Sequence, residues 1–309
     1  GFHMPVFCRW WDINTTNGVC YDGMSGPDNH TFAVIEEFVA RTYEAGGMVH
    51  FWMYGDSARS QNPGSSFGFG SQTEKAVLDE IATRLGPLDG WTMGYGFDIF
   101  EWANSSQIEQ WHDYLQGNMT NNPHMLGARG TKNAYNNWSN KLEYYAVEWH
   151  QPTYQDYIDH LNNANGRPTF SEDRFRLGQD HAYKAYTMDM TRQGMWHSTL
   201  AGGVANIWGN LITDASDINM GLKTSLDYPN PEQIKTYSVF WNGRFNVNME
   251  RCGTYCLSDG SITVLYGENV STLGTQSGIA VDTTKPYAEI TITNGQLPYQ
   301  SDWAVVLGE

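Results

Sequence analysis

Glu172 stands within the run RPTFSEDRF, where a strand-like triplet, PTF, leads into two acids between two arginines. A solvated surface glutamate needs no such placement, whereas a carboxylate that must be held in one direction does. Asp98 and Glu101 occupy a comparable position in GYGFDIFEW. For any single acid the plain alternative is strong: Ser171, Glu172 and Asp173 can start a turn, and Glu101 can open the next helix, where its charge suits the helix dipole. Two carboxylates from separate strands shift the balance. Cleavage of a glycosidic bond needs one to protonate the leaving oxygen and another to attack or to activate water. At or near other strand ends stand Arg9, Trp10, Trp52, Tyr54, His150, Tyr154 and Trp208. Such residues offer flat apolar faces beside polar groups, the usual make-up of a small-molecule cleft.

Other chemistries find less support. His3, His50, Asp56, Asp98 and His150 are the candidates for a metal, but they stand singly, without HxH or H-E-x-x-H spacing. GYGFD and GFGSQ are poor matches to a dinucleotide-binding glycine pattern. We therefore expect no metal and no cofactor. The net charge of −16, with no Lys/Arg cluster, argues against nucleic acid and against an anionic membrane surface. No run of apolar residues is long enough to span a bilayer.

The elements that must position these residues alternate along the chain. FHMPVFCRWW, GMVHFWMYGD, WTMGYGFDIFEW, HMLGARG, YYAVEWH, RPTFSED and VANIWGN read as strands, mostly separated by amphipathic helical stretches. One of those, SQTEKAVLDEIATRLG, carries a predicted capping box, with Ser71 as N-cap and Glu74 three residues on. Alternation of this kind predicts an α/β fold with a parallel sheet. Polar and aromatic residues gather at nearly every strand end, which favours a (β/α)8 barrel over a doubly wound sheet. Seven strands are visible. If FHMPVF is the second, the first belongs upstream of Gly1.

After about Asn246 the texture changes. SITVLYGEN, GIAVDTT, YAEITITNG and DWAVVLGE alternate with period two between turn residues. We expect a catalytic barrel over 1–246 and a small, β-sandwich-like antiparallel accessory domain over 247–309. The cysteines pair naturally as two local disulfides, Cys8 with Cys20 and Cys252 with Cys256, in the turn-rich stretch RCGTYC. At least one bridge is expected, and with it a secreted, periplasmic or extracellular location. Reduced thiols are the alternative. Six N-x-S/T sequons, at Asn14, Asn29, Asn104, Asn118, Asn137 and Asn269, matter only in a secreted eukaryotic chain.

The order of these elements resembles the large clan A of (β/α)8 glycoside hydrolases that retain anomeric configuration. GRPTFSED is similar to the clan's seventh strand, and LAGGVANIWGN to its eighth, whose Trp floors the sugar site. The resemblance implies Glu172 as nucleophile, Trp208 as platform, and an acid/base after the fourth strand. Glu101 is the first choice for that role, with Asp98 as competitor. The clan's Asn-Glu pair is absent from GFDIFEW, which leaves the contact to the sugar 2-OH unassigned. It also implies that His150 or Tyr154, beyond the sixth strand, contacts the nucleophile. The expected activity is retaining hydrolysis of a poly- or oligosaccharide. The alternatives are a non-catalytic sugar-binding barrel and a polysaccharide lyase using Arg9, His150 and Tyr154.

Overall fold

A computed structural model of the chain describes residues 2–5, 11–13, 24–54, 70–96, 99–119, 124–131, 139–149, 152–171, 187–203, 205–206 and 231–309. The chain divides into two compact units, Gly1–Glu148 and Trp149–Glu309.

The first unit is built on five parallel strands, each paired with the next: β1 (Phe2–Pro5), β4 (Val49–Tyr54), β5 (Trp91–Gly96), β6 (Met125–Thr131) and β7 (Tyr144–Glu148). A separate antiparallel pair, β2 (Trp11–Ile13) and β3 (Met24–Pro27), follows β1. Helix α1 (Asn29–Glu44) starts where the Asp28 carboxylate accepts from the His30 N–H, and it buries Phe32, Ile35 and Val39 at helical spacing. Helix α2 (Gln72–Glu80) starts at Ser71, as its sequence predicts. Helix α3 (Ser105–Asn118) has a complete capping box between Asn104 and Gln107. These helices pack Phe32, Ile35, Val77, Leu78, Ile108 and Trp111 on the outward strand residues Phe51, Met53, Met93 and Tyr95 in one apolar core.

The predicted capping box at α2 is only half made. Ser71 accepts from the Glu74 N–H at 3.3 Å, but the Glu74 carboxylate does not return to Ser71. It accepts instead from Gly70 N–H at 2.6 Å and from the Tyr54 hydroxyl at 3.1 Å. Glu74 is fully buried, so its oxygens are spent on donors that burial would otherwise strand.

The second unit contains α4 (Tyr154–Asn163), α5 (Met188–Leu200) and α6 (Pro231–Trp241), with a short parallel pair, β8 (Thr169–Ser171) and β9 (Ala205–Asn206). The C-terminal segment forms a single six-stranded antiparallel sheet rather than two stacked ones. Its strands are β10 (Glu250–Gly253), β11 (Cys256–Ser258), β12 (Thr263–Thr272), β13 (Gly278–Asp282), β14 (Glu289–Ile292) and β15 (Gln296–Leu307), in the order β10-β11-β12-β15-β13-β14. Period-two alternation sorts β15 cleanly: Ala304 and Val306 join one core, Trp303, Val305 and Leu307 the other. Helices take the place of a second sheet on the first of those faces, where Trp196, Leu200, Phe240 and Trp241 cover Leu257, Val264, Val281 and Ala304. Asp302 ties α5 to the sheet, accepting from Arg192, Gln193 and the Asn269 N–H.

RCGTYC is a strand hairpin, not a loop: β10 and β11 meet across it, and Cys252 and Cys256 are bridged. Tyr255 turns the chain at φ 52°. Cys8 and Cys20 lie outside the described residues. No helix among the described residues is long and apolar enough to cross a membrane.

Candidate active site

The described part of the candidate site runs across the middle of β4, β5 and β6 to Tyr144, the first residue of β7. Register places Trp52 beside Gly94, Gly94 beside Gly127, and Gly127 beside Tyr144, one row across four strands. The two central glycines are sterically required. A Cβ on Gly94 would lie 2.9 Å from the Tyr144 hydroxyl and 3.0 Å from Trp52 Cδ1, and one on Gly127 would lie 2.5 Å from the Tyr144 ring. The row is thus two large rings meeting over two bare backbones. One layer toward the strand starts, His50 Nδ1 and Thr92 Oγ1 are 2.6 Å apart, and His50 meets the Tyr144 ring edge-on at 5.8 Å. One layer toward the strand ends, the Arg129 guanidinium sits 5.3 Å from the centre of the Trp52 ring. Arg129 and Tyr144 are 0% exposed and Trp52 5%, so this layer is a packed floor and Trp52 presents no open ring face.

Beyond β5 the chain closes a 3-10 turn, Ile99–Glu101, and Glu101 is solvent-exposed there. Trp102 and Ala103 N–H groups both donate to the Ile99 carbonyl, at 3.2 and 2.9 Å. Of the remaining residues singled out from sequence, Tyr54 is fully buried, with its hydroxyl on Glu74 and its ring 5.1 Å from Trp111. Tyr154 is the first residue of α4 and belongs to the second unit's core. Its hydroxyl donates to the carbonyls of Leu200 and Gly253, at 3.3 and 3.4 Å, and its ring packs on Tyr255. Both tyrosines pack in their units' cores. Glu172, Asp98, Arg9, Trp10, His150 and Trp208 lie outside the described residues.

Arg129 stands near a strand end and His50 is a metal candidate in the sequence, but the contacts of His50 with Thr92 and of Arg129 with Trp52, and the place of Tyr144, were not foreseen. The available signal was the pair of isolated glycines inside otherwise apolar strands, which marks a close approach of side chains. Among the described residues, no group of three or more His, Cys, Asp or Glu is placed to hold a metal ion.

No protein-family model matches the chain, and no curated protein matches it in sequence. Solved structures do resemble it in fold. One described as a glycoside hydrolase superposes with a TM-score of 0.66 at 10% identity, over 99% of this chain and 84% of its own. A glycoside hydrolase family 5 protein from Bacteroides vulgatus gives 0.64 at 9% identity, over 98% and 81%. A third, also from Bacteroides vulgatus and provisionally assigned as a glycoside hydrolase, gives 0.70 at 9% identity, over 99% and 72%. At such identities the likeness is one of fold.

Proposed function

We propose that the protein is a retaining glycoside hydrolase acting on a poly- or oligosaccharide, with its parallel strands belonging to a (β/α)8 barrel. The observation that carries this reading is the exposed Glu101 in the turn directly beyond the C-terminal end of β5, in a chain whose whole length resembles glycoside hydrolases in fold. Active sites of such barrels are assembled on that face. In this reading residues 1–246 form the catalytic part and 247–309 the accessory β domain. The bridged Cys252 and Cys256 support an extracellular or periplasmic location.

Glu172 acts as nucleophile and Glu101 as acid/base, with Asp98 as the competing acid. In the first step the Glu172 carboxylate bonds to the anomeric carbon as the glycosidic bond breaks, and Glu101 gives its proton to the departing oxygen. In the second, Glu101 takes a proton from water, the water oxygen attacks the anomeric carbon, and the Glu172 ester is released. Retention asks for about 5–5.5 Å between the carboxyl groups, against roughly 6.5–9.5 Å for inversion.

The test has two parts. Glu172→Gln should abolish turnover, by about 10^3-fold or more, while leaving the fold and sugar binding intact, because the amide is isosteric but cannot attack. NMR of the first-formed product should show the anomer of the substrate. A product of inverted configuration, or a Glu172→Gln enzyme running at the wild-type rate, would remove the assignment.

A further inference from the structure

Trp102, the neighbour of Glu101, is not loosely attached. Its ring meets Tyr54 edge-on, with centroids 6.1 Å apart, and packs on Trp111 of α3 at 6.0 Å. Room for it is made by Gly96, the last residue of β5: a Cβ there would come within 2.8 Å of Trp102 Cζ2. Tyr54 and Trp111 are in turn locked together, and the Tyr54 hydroxyl ends on Glu74. The second oxygen of Glu74 holds Gly70 N–H. One fully buried carboxylate thus joins the start of α2 to the end of β4 and, through two aromatic rings, to the turn that carries Glu101.

A helix cap does not need this. Ser71 already caps α2, and a solvated glutamate in the first turn would serve the helix dipole at no desolvation cost. Burying the carboxylate is unfavourable unless its donors are fixed. Burial pushes the Glu74 carboxyl up from its usual range, while the donors Gly70 N–H, Trp111 and Tyr54 act against that rise. The arrangement fixes one point, the contact of Tyr54 at the end of β4 with Trp102, the residue after Glu101.

We propose that Glu74, Tyr54 and Trp102 form a buried strut that fixes the turn bearing Glu101, so that Glu74 and Tyr54 are positioning residues for proton donation. This rests on the reading of Glu101 as acid/base. A general acid matters most when the leaving group is poor, and misplacing it leaves good leaving groups nearly unaffected. The probes are matched phenyl and 2,4-dinitrophenyl glycosides of mono- and disaccharides, in both anomeric series. Tyr54→Phe and Trp102→Leu should lower kcat/KM on the phenyl substrate by about tenfold or more, and on the dinitrophenyl substrate by less than about twofold. Tyr237→Phe, which removes a comparable hydroxyl contact to Thr199 in the second unit, should leave the ratio unchanged.

The decisive readout is the double variant. If the strut works through Glu101, Tyr54→Phe should cost nothing further on the phenyl substrate once Glu101→Gln is in place. Equal losses on both probes, no loss on either, or full additivity with Glu101→Gln each overturn the strut. A leaving-group split in Asp98→Asn but not in Glu101→Gln overturns the acid assignment instead. A wild type that cleaves none of the probes removes the enzymatic reading and the strut with it.

Discussion

His160 lies on α4, almost wholly buried, and burial lowers its pKa from 6.5 to about 3. The folded chain therefore keeps this imidazole neutral over a range in which the unfolded chain protonates it. The unfolded state binds more protons between about pH 6.5 and pH 3, so stability is lost as pH falls through that window and is untouched above it. At roughly 1.4 kcal/mol per pH unit, the loss reaches about 3 kcal/mol by pH 4. Urea unfolding of the wild type and His160→Gln at pH 7 and pH 4 should show a clearly smaller acid-induced drop in the variant. Equal drops would mean that carboxylates alone set the acid limb. Burial of this kind is visible in DYIDHLNN only as a helical stripe, because the same His on the same stripe could as easily have faced water. Trp52 was legible as an aromatic near a strand end, but not its contact with Arg129, which depends on the register of β4 against β6. The surroundings of Tyr154 were hidden for a similar reason. Its position just beyond β7 suggested the site, whereas the Thr153–Asp156 capping box makes it the first helical residue and turns its ring into the core.

At the scale of elements, the row Trp52–Gly94–Gly127–Tyr144 fills the space over the middle of three strands and the start of a fourth. A Cβ on Gly127 would sit 2.5–2.6 Å from three carbons of the Tyr144 ring, which is fully buried and meets His50 edge-on. Gly127→Ala is therefore expected to cost about 1–3 kcal/mol, a typical overpacking penalty, and to depress activity beyond what the lost stability explains. Chemical denaturation, with Gly117→Ala as the reference on the open face of α3, measures the first effect; assays well below the melting range measure the second. Gly117 has nothing within 4 Å of an added Cβ, so that change should be neutral or mildly stabilising. The alternation of strands and helices was legible because each has its own apolar period. What escaped was set by tertiary demand. Glu74 satisfies the local rule for a capping box, but the buried Tyr54 hydroxyl and Gly70 N–H outcompete the Ser71 amide for its oxygens. The β10–β11 hairpin carries no apolar alternation, since every residue of β10 is exposed, and pairing with β11 and the Cys252–Cys256 bridge define it instead.

At the scale of the molecule, the change in sequence texture near Asn246 and the organisation of the core fall in different places. The antiparallel sheet begins at Glu250, close to where period-two alternation takes over. Its inner face, however, is completed by side chains that precede that point: Trp196 stacks on Tyr266 with centroids 5.5 Å apart, and Phe240 and Trp241 close the same cluster. Arg244, at the end of α6, adds paired contacts to Glu289 and Glu309, and burial is offset by those carboxylates, which raise its pKa. A fragment of residues 247–309 would leave one apolar face of a six-stranded sheet bare, and so short a chain has little other core to compensate. It should bind a hydrophobic dye and show poorly dispersed amide resonances. The fragment 149–309 keeps both sides of that core and, unlike 247–309, should unfold in a single cooperative urea transition, with tryptophan fluorescence and far-UV ellipticity moving together. If 247–309 alone gave a dispersed spectrum and a sharp transition, the helices would be a cover laid on an already stable sheet. The sharing of one core between α4–α6 and the strands would then be a contact rather than the basis of the unit.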